Sequence, residues 1–92
     1  MKHTQLVREG FRAANRAGVL MYTLRRGSAR SDGFYAMFYK CCTVVVLFAD
    51  EEKASVIQDL EIERLRSAEI PLIVSNDIYE FTDFVDSWVE DT

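Results

Sequence analysis

The sequence predicts an α/β domain in which a small mixed sheet is flanked by helices, in the order αβββαβα. Three segments repeat apolar residues every three or four positions, which is typical of amphipathic helices. Four shorter segments are rich in β-branched and aromatic residues, which favour strands. A strand, a helix and a strand follow one another from residue 42 to residue 74, which favours a parallel pair with a right-handed crossover. With 92 residues and a hydrophobic fraction of 49%, we expect one domain, 1–92, with a buried core.

The first helix is predicted over residues 3–17, with apolar residues on one side and Gly18 at the position of a left-handed C-cap. A strand is predicted over residues 19–24. Residues 25–33 are basic and contain Gly and Ser, so we expect a loop there.

The second strand is predicted over residues 34–40 and the third over residues 41–49. The third is apolar without alternation, which indicates a strand covered on both faces. Cys41 and Cys42 lie in it, and we expect them to be small buried residues pointing to opposite faces in a reducing compartment.

The second helix is predicted from Asp50, as N-cap, to about Ser67, with Glu51 and Glu52 in its first turn. Ile62 lies off the apolar side expected to face the core. That side consists of Val56, Ile57, Leu60, Leu65 and Ala68.

A short strand over residues 72–74 follows Pro71. Asp77 and Glu80 then have the spacing of a capping box for the last helix. The apolar stripe of that helix is predicted to contain Phe81, Phe84, Val85 and Trp88.

Charge is divided unevenly along the chain. Residues 1–40 hold eight Lys and Arg against two Asp and Glu, a net charge of +6, whereas residues 41–92 hold three against thirteen, a net charge of −10. Such asymmetry is typical of partner-facing surfaces, although ordinary solvated faces would give the same pattern.

A single His and the lack of a CxxC motif argue against a zinc site. No segment has the pattern of a signal peptide or a membrane helix, so we expect a cytoplasmic protein with no membrane contact.

Three motifs together suggest a family. They are the loop Arg25-Arg26-Gly27-Ser28-Ala29-Arg30-Ser31-Asp32, the helical Gln58, and the segment Ile62-Glu63-Arg64-Leu65-Arg66. In this pattern the chain resembles a free-standing, phage-type VRR-NUC domain of the restriction-endonuclease-like PD-(D/E)xK superfamily. The resemblance covers nearly the whole chain and implies a restriction-endonuclease-like fold, with Asp32 and Gln58 on the family's Asp and Gln.

The same register places Val46 and Phe48 where the family has the Glu and Lys of its catalytic strand, and Gln5 near the family's helix-one Glu. These nucleases need at least two carboxylates to hold a divalent metal, and Asp32 alone cannot do so. We therefore expect no catalytic residues and no cofactor. The alternative is a shifted site in which Glu51 and Lys53 join Asp32 and Gln58 to bind Mg²⁺ and cut DNA.

The resulting expectation is a catalytically inactive nuclease-fold binding protein. The resemblance suggests a phage protein that binds a host protein, such as a nucleic-acid-handling complex, in the host cytoplasm as an anti-restriction or anti-CRISPR type inhibitor. The candidate protein-binding residues are Asp59, Glu61, Glu63, Asp83, Asp86 and Glu90.

Two other functions remain open at this point. Weak nucleic-acid binding would use the basic residues Arg8, Arg12, Arg16, Arg25, Arg26 and Arg30, with Lys40 nearby. A homodimer could pair the basic and acidic halves of two copies, with Tyr22, Tyr35 and Tyr39 at its surface unless they serve as core or edge packing.

Overall fold

The computed structural model describes residues 2–26, 29–50 and 54–92; for residues 25, 26 and 29–32 only the backbone is described. The predicted order αβββαβα is confirmed. The elements are α1 (His3–Arg16), β1 (Leu20–Arg26), β2 (Ala29–Tyr39), β3 (Cys42–Phe48), α2 (Val56–Ser67), β4 (Leu72–Ser75) and α3 (Ile78–Asp91).

The four strands form one mixed sheet in the order β1-β2-β3-β4. β1 pairs with β2 and β2 with β3 in antiparallel fashion, and β3 pairs with β4 in parallel, as the strand–helix–strand pattern predicts. Tyr39 pairs with Cys42, so β2 and β3 are joined by a two-residue turn of Lys40 and Cys41. Lys40 adopts a left-handed conformation there, with φ of 54°.

The first two strands are longer than predicted. β1 continues to Arg26 and β2 begins at Ala29, so the expected loop over residues 25–33 is wrong over most of its length. Arg25 pairs with Arg30 and Arg26 with Ala29. Pairing between the two strands holds these residues in extended conformation and outweighs their local preference for a loop.

β3 contributes to two apolar cores, one on each face of the sheet. Val44, Val46 and Phe48 pack against α1 and α3, whereas Val45 and Leu47 pack in a second core with residues of α2. Residues 44–48 are all buried, so the prediction of a strand covered on both faces is confirmed. Alternate side chains of a strand point to opposite faces, which places α2 across the sheet from α1 and α3.

α2 begins later than predicted, and Asp50 is not its N-cap. The N-cap is Ser55, whose Oγ accepts a hydrogen bond from the backbone N–H of Gln58 at 3.1 Å. The side-chain Oε1 of Gln58 in turn accepts from the backbone N–H of Ser55 at 3.1 Å. This reciprocal capping box satisfies two amides at the helix start, which defines the boundary. Glu51 and Glu52 lie outside the described residues.

The side of α2 that faces the core also differs from the prediction. Ile62 and Leu65 are buried, whereas Val56, Ile57 and Leu60 are exposed by 76%, 64% and 58%. Ala68 is exposed as well. The side that docks on the sheet is decided by the partners available there, and the sheet offers Phe34, Val45 and Leu47 to only one side of a 12-residue helix. A stripe of large apolar side chains is thereby left in contact with solvent.

Both cysteines are exposed, so the expectation that they are buried is wrong. Cys41 is in the hairpin turn and Cys42 is the first residue of β3, outside both cores. Tyr35 and Tyr39 are partly buried against the core that faces α1 and α3, whereas Tyr22 is exposed.

α3 agrees with the sequence in its N-cap and its apolar stripe, but not in the capping box predicted for Asp77 and Glu80. The side chain of Asp77 accepts a hydrogen bond from the backbone N–H of Tyr79 at 2.8 Å, not from that of Glu80. The four apolar residues predicted for its stripe pack in the core that α1 also lines: Phe81, Phe84, Val85 and Trp88. Among the residues described, no helix has the length and apolar character needed to cross a membrane.

Candidate functional site

The positions that the resemblance assigns to the catalytic Glu and Lys lie in the core. Val46 is fully buried and Phe48 is 1% exposed. The ring centroid of Phe48 is 5.6 Å from that of Tyr35 and 5.0 Å from that of Phe81. Phe11 packs edge-on against Tyr35 at 5.4 Å. The ring of Phe48 is thus in the middle of a four-ring aromatic cluster.

Phe48 extends as far as the backbone of α1. A Cβ atom built on Gly10 would overlap Cζ of Phe48 and be 3.0 Å from its Cε1. Real Cβ atoms do not approach so closely, so the ring occupies the space that a side chain at this helix position would need. The gap between β3 and α1 is filled by hydrocarbon. Gln5, near the family's helix-one Glu, is exposed at the start of the same helix.

The remaining residues of the proposed nuclease motif are only partly described. Gln58 approaches β2, because its Nε2 is 3.9 Å from the Cβ position of Gly33, next to Asp32 in the chain. Gln58 is also engaged in the capping box of α2, across the sheet from α1. The side chain of Asp32, and Glu51 and Lys53 entirely, lie outside the described part of the structure. Within that part, no group of three or more His, Cys, Asp or Glu could hold a metal ion.

The helix arginines line two different grooves. Arg8 and Arg12 are exposed and, with Phe11 and Asn15, line an open trough of about 590 Å³ between α1 and β1. Arg16 lines a second groove of about 320 Å³, between α1 and α3, together with Asp83. Arg12 pairs with Glu9, N–O distance 2.7 Å. The side chains of Arg25, Arg26 and Arg30 lie outside the described set. The described arginines of α1 therefore lie along one helix but line two different grooves.

Lys40 lies away from both grooves. Its Nζ donates a hydrogen bond to the backbone oxygen of Thr92 at 3.1 Å and lies 5.5 Å from the ring centroid of Tyr39. This contact joins the β2–β3 turn to the end of α3. It gives Lys40 a structural partner within the chain.

The acidic candidates also separate into two surfaces. Asp59, Glu61 and Glu63 are on α2, and Asp83, Asp86 and Glu90 are on α3, across the sheet. Glu61 is half-buried and lies 4.0 Å from the guanidinium of Arg64. The other five are exposed. On α3, the three acidic residues and Tyr79 have the spacing of a single helix face.

Sequence reasoning named Tyr22 as a surface candidate but missed the exposed apolar residues around it. Leu20 and Tyr22 of β1 are exposed by 59% and 56%, and Phe38 of β2 lies beside them, its ring centroid 6.0 Å from that of Tyr22. Leu20 pairs with Phe38 in the sheet. All three point to the face that carries α2. On β2, Phe34, Ala36 and Phe38 are two residues apart and so share a face, and Phe34 packs in the core that α2 lines. α2 leaves them uncovered, which only the tertiary arrangement reveals.

Comparison with known proteins gives no relative for this chain: no family model, no curated protein and no solved structure matches it.

Proposed function

We propose that this protein acts by binding another protein and that it does not cut DNA. The observation that carries the proposal is the packing of Phe48, at the position where the resemblance implies a catalytic Lys. Its ring lies against the backbone of Gly10 and against the rings of Tyr35 and Phe81. The VRR-NUC resemblance itself remains part of the proposal.

Metal-dependent cleavage of the kind that the resemblance implies requires space for polar groups beside residues 46 and 48, and the described residues fill that space with apolar side chains. Two carboxylates and a hydrated divalent ion must lie together beside the scissile phosphate. Here the corresponding side chains are a valine and a phenylalanine, both inside a core. A metal ion or a charged side chain would lose its water there without gaining polar partners, which costs several kcal/mol.

The outer face of α3 is the surface best suited to a basic partner. Asp83, Asp86 and Glu90 are exposed along one side of the helix, and residues 77–92 contain no Lys or Arg. Glu90 lies in the last turn, which has no basic residue. Lys40 already donates to the backbone at the end of α3, so the exposed carboxylates are what would attract a cationic partner. Tyr79, on the same face, is 79% exposed and is the type of residue that anchors protein interfaces.

The partner that fits this chemistry is a basic surface of a nucleic-acid-handling protein. Acidic side chains on a small domain can occupy a cleft that otherwise binds nucleic acid, and opposite charge speeds the encounter. Together with the phage-type resemblance, this supports an anti-restriction or anti-CRISPR type inhibitor that acts in the cytoplasm of a bacterial host.

Charge reversal on each helix separately tests the surface. Purified protein is immobilised and exposed to nuclease-treated lysates of candidate hosts, and retained proteins are identified by mass spectrometry. We expect Asp83→Lys with Asp86→Lys to abolish capture of the partner. The matched control, Asp59→Lys with Glu63→Lys, makes the same charge change on α2 and should retain it. Capture that survives the α3 change, or is lost with Arg8→Glu, would contradict the proposed surface.

Nuclease assays test the other half of the proposal. The protein is incubated with supercoiled, single-stranded and branched DNA in Mg²⁺ or Mn²⁺, and we expect no cleavage. Metal-dependent cleavage that disappears in both Asp32→Ala and Glu51→Ala would instead establish the shifted site with Lys53 and Gln58.

A further inference from the structure

The outer edge of β1 has main-chain groups available for another strand. Among the strands that the structure describes, β1 is at the end of the sheet and pairs only with β2. Tyr39 and Cys42 flank a two-residue turn, so they form a hydrogen-bonded pair between β2 and β3. From Tyr39 backwards along β2, the N–H and C=O groups of successive residues point alternately to β3 and to β1. Ala36 and Phe38 therefore bond towards β1, where their partners are Tyr22 and Leu20.

The intervening residues of β1, Met21 and Thr23, consequently direct their N–H and C=O groups away from β2. Val19 follows the same alternation, since its N–H points outward and donates to the backbone oxygen of Ala14 at 2.9 Å. From Leu20 to Thr23, no hydrogen bond from a described residue reaches this side of the strand. Unpaired edge groups of this kind are a template for strand addition.

The trough between α1 and β1 runs along this edge. It is lined by Val19, Leu20, Met21 and Tyr22, four consecutive residues of the β1 segment, and by one side of α1. Four strand residues span about 13 Å, enough to hold a short extended segment. Natural edge strands are commonly protected by Lys, Pro or a bulge, and residues 20–23 contain neither residue type. The register irregularity begins only after Thr23.

The two faces of an added strand would meet different chemistry. Side chains on the α1 side would face Arg8 and Arg12. Arg12 already pairs with Glu9 at 2.7 Å, whereas Arg8 forms no hydrogen bond or ion pair with any described residue, so Arg8 is the main attraction for an acidic side chain. Side chains on the other side would face Leu20 and Tyr22, with Phe38 behind them. The site therefore matches a strand that alternates acidic and apolar residues.

We propose that the free edge of β1 receives an extended segment of another protein, in which acidic side chains meet Arg8 and Arg12 and apolar side chains cover Leu20 and Tyr22. Main-chain bonds to Met21 and Thr23 give affinity, and the alternating pattern gives specificity, as in other cases of strand addition. This surface is separate from the acidic face of α3 and does not depend on the function proposed for that face.

Charge disfavours a second copy of this chain as the occupant. Antiparallel pairing of two β1 edges about a two-fold axis would place both α1 helices on the same face, side by side along the junction. Arg8 and Arg12 of the two copies would then lie near one another, and like charges across an interface weaken binding. The same arginines attract an acidic segment electrostatically.

Peptide binding tests the site directly. The probe is a fluorescein-labelled eight-residue peptide that alternates Glu and Val, compared with a Lys–Val peptide of the same pattern and with four Glu followed by four Val. Fluorescence anisotropy should show binding of the alternating Glu–Val peptide about tenfold tighter than either control, since each charge-assisted bond contributes about that factor. Arg8→Glu should weaken it by about tenfold as well. The matched variant Arg16→Glu, which changes an arginine of the other groove, should leave it unchanged.

Main-chain recognition has its own test. Two methylated peptides are compared, one with N-methyl groups on the odd-numbered residues and one with them on the even-numbered residues. One of the two should not bind, because its methyl groups replace the N–H donors that face β1. Thr23→Pro removes an outward donor of β1 and should also abolish binding, with folding checked by circular dichroism; the methylated peptides give the same information if that variant fails to fold. The proposal is overturned if the peptide of four Glu followed by four Val binds as tightly as the alternating peptide. It is overturned as well if both methylated peptides bind as tightly as the unmethylated one. It is overturned equally by a β1-dependent homodimer that Thr23→Pro dissociates, or by displacement of the peptide by single-stranded DNA but not by unlabelled peptide.

Discussion

Restoring the catalytic residues of the resembled family to β3 should strongly destabilise the protein. The perturbation is Val46→Glu with Phe48→Lys, at two side chains that are almost completely buried. Removing a buried Phe ring costs about 3–5 kcal/mol, and each buried charge adds several more unless it finds a partner. A domain of this size has a total unfolding free energy of about 5–14 kcal/mol. We therefore expect a loss of at least about 5 kcal/mol, which equals the whole unfolding free energy at the lower end of that range.

A surface pair supplies the matched control. Leu20→Glu with Tyr22→Lys introduces the same residue types at the same spacing, on the exposed edge strand. Exposed substitutions usually change stability by within about 0.5 kcal/mol. Urea unfolding can be followed by the fluorescence of Trp88, the single tryptophan, which packs against Tyr39 with ring centroids 6.1 Å apart. The β3 variant should unfold at much lower urea than the control.

An unchanged urea midpoint in the β3 variant would refute the argument. It would mean that the space around residues 46 and 48 accepts charge and water, as an active-site cavity does. Stabilisation of that variant by Mg²⁺ would go further, because it would indicate that metal-binding groups remain beside the strand and would weaken the non-catalytic proposal.

Other expectations follow from the same structure. Affinity for DNA should be weak and electrostatic, so binding measured from low to physiological salt should fall along the slope of counterion release, and salt-insensitive or structure-selective binding would contradict this. Ser55→Ala should cost about 1 kcal/mol in urea unfolding through loss of the cap, whereas Ser55→Asp should retain most of it; equal stability of both would argue against the capping box. Both Cys41 and Cys42 should react with a thiol reagent in the folded protein, and a thiol released only by denaturant would contradict their exposure. Gly10→Ala should cost about 1–3 kcal/mol by overpacking, against a gain of about 1 kcal/mol in helix propensity. The same substitution in a Phe48→Leu background should be less costly, and strict additivity would show that the two residues do not compete for space.

Local sequence determined the order and type of the elements. The apolar run of β3 and the helical repeats of α1 and α3 are properties of neighbouring residues, and periodicity reports them directly. The N-cap of α3 at Asp77 is equally local. For α2, the spacing of Ser55 and Gln58 already carried the capping-box signal, and the preference for Asp50 overlooked it.

Tertiary structure alone decided the rest, because it depends on contacts between residues distant in sequence. Pairing across the sheet extended β1 and β2 into the basic segment. The docking side of α2 was decided by what the sheet offers, so Ile62 is buried and Val56 is exposed. The sequence identified Val46 and Phe48 as departures from a nuclease pattern, but only folding brings the Phe48 ring against Gly10, 38 positions earlier in the chain. A one-dimensional pattern records which residues are apolar; which of them find a partner depends on how helices and strands are placed in space.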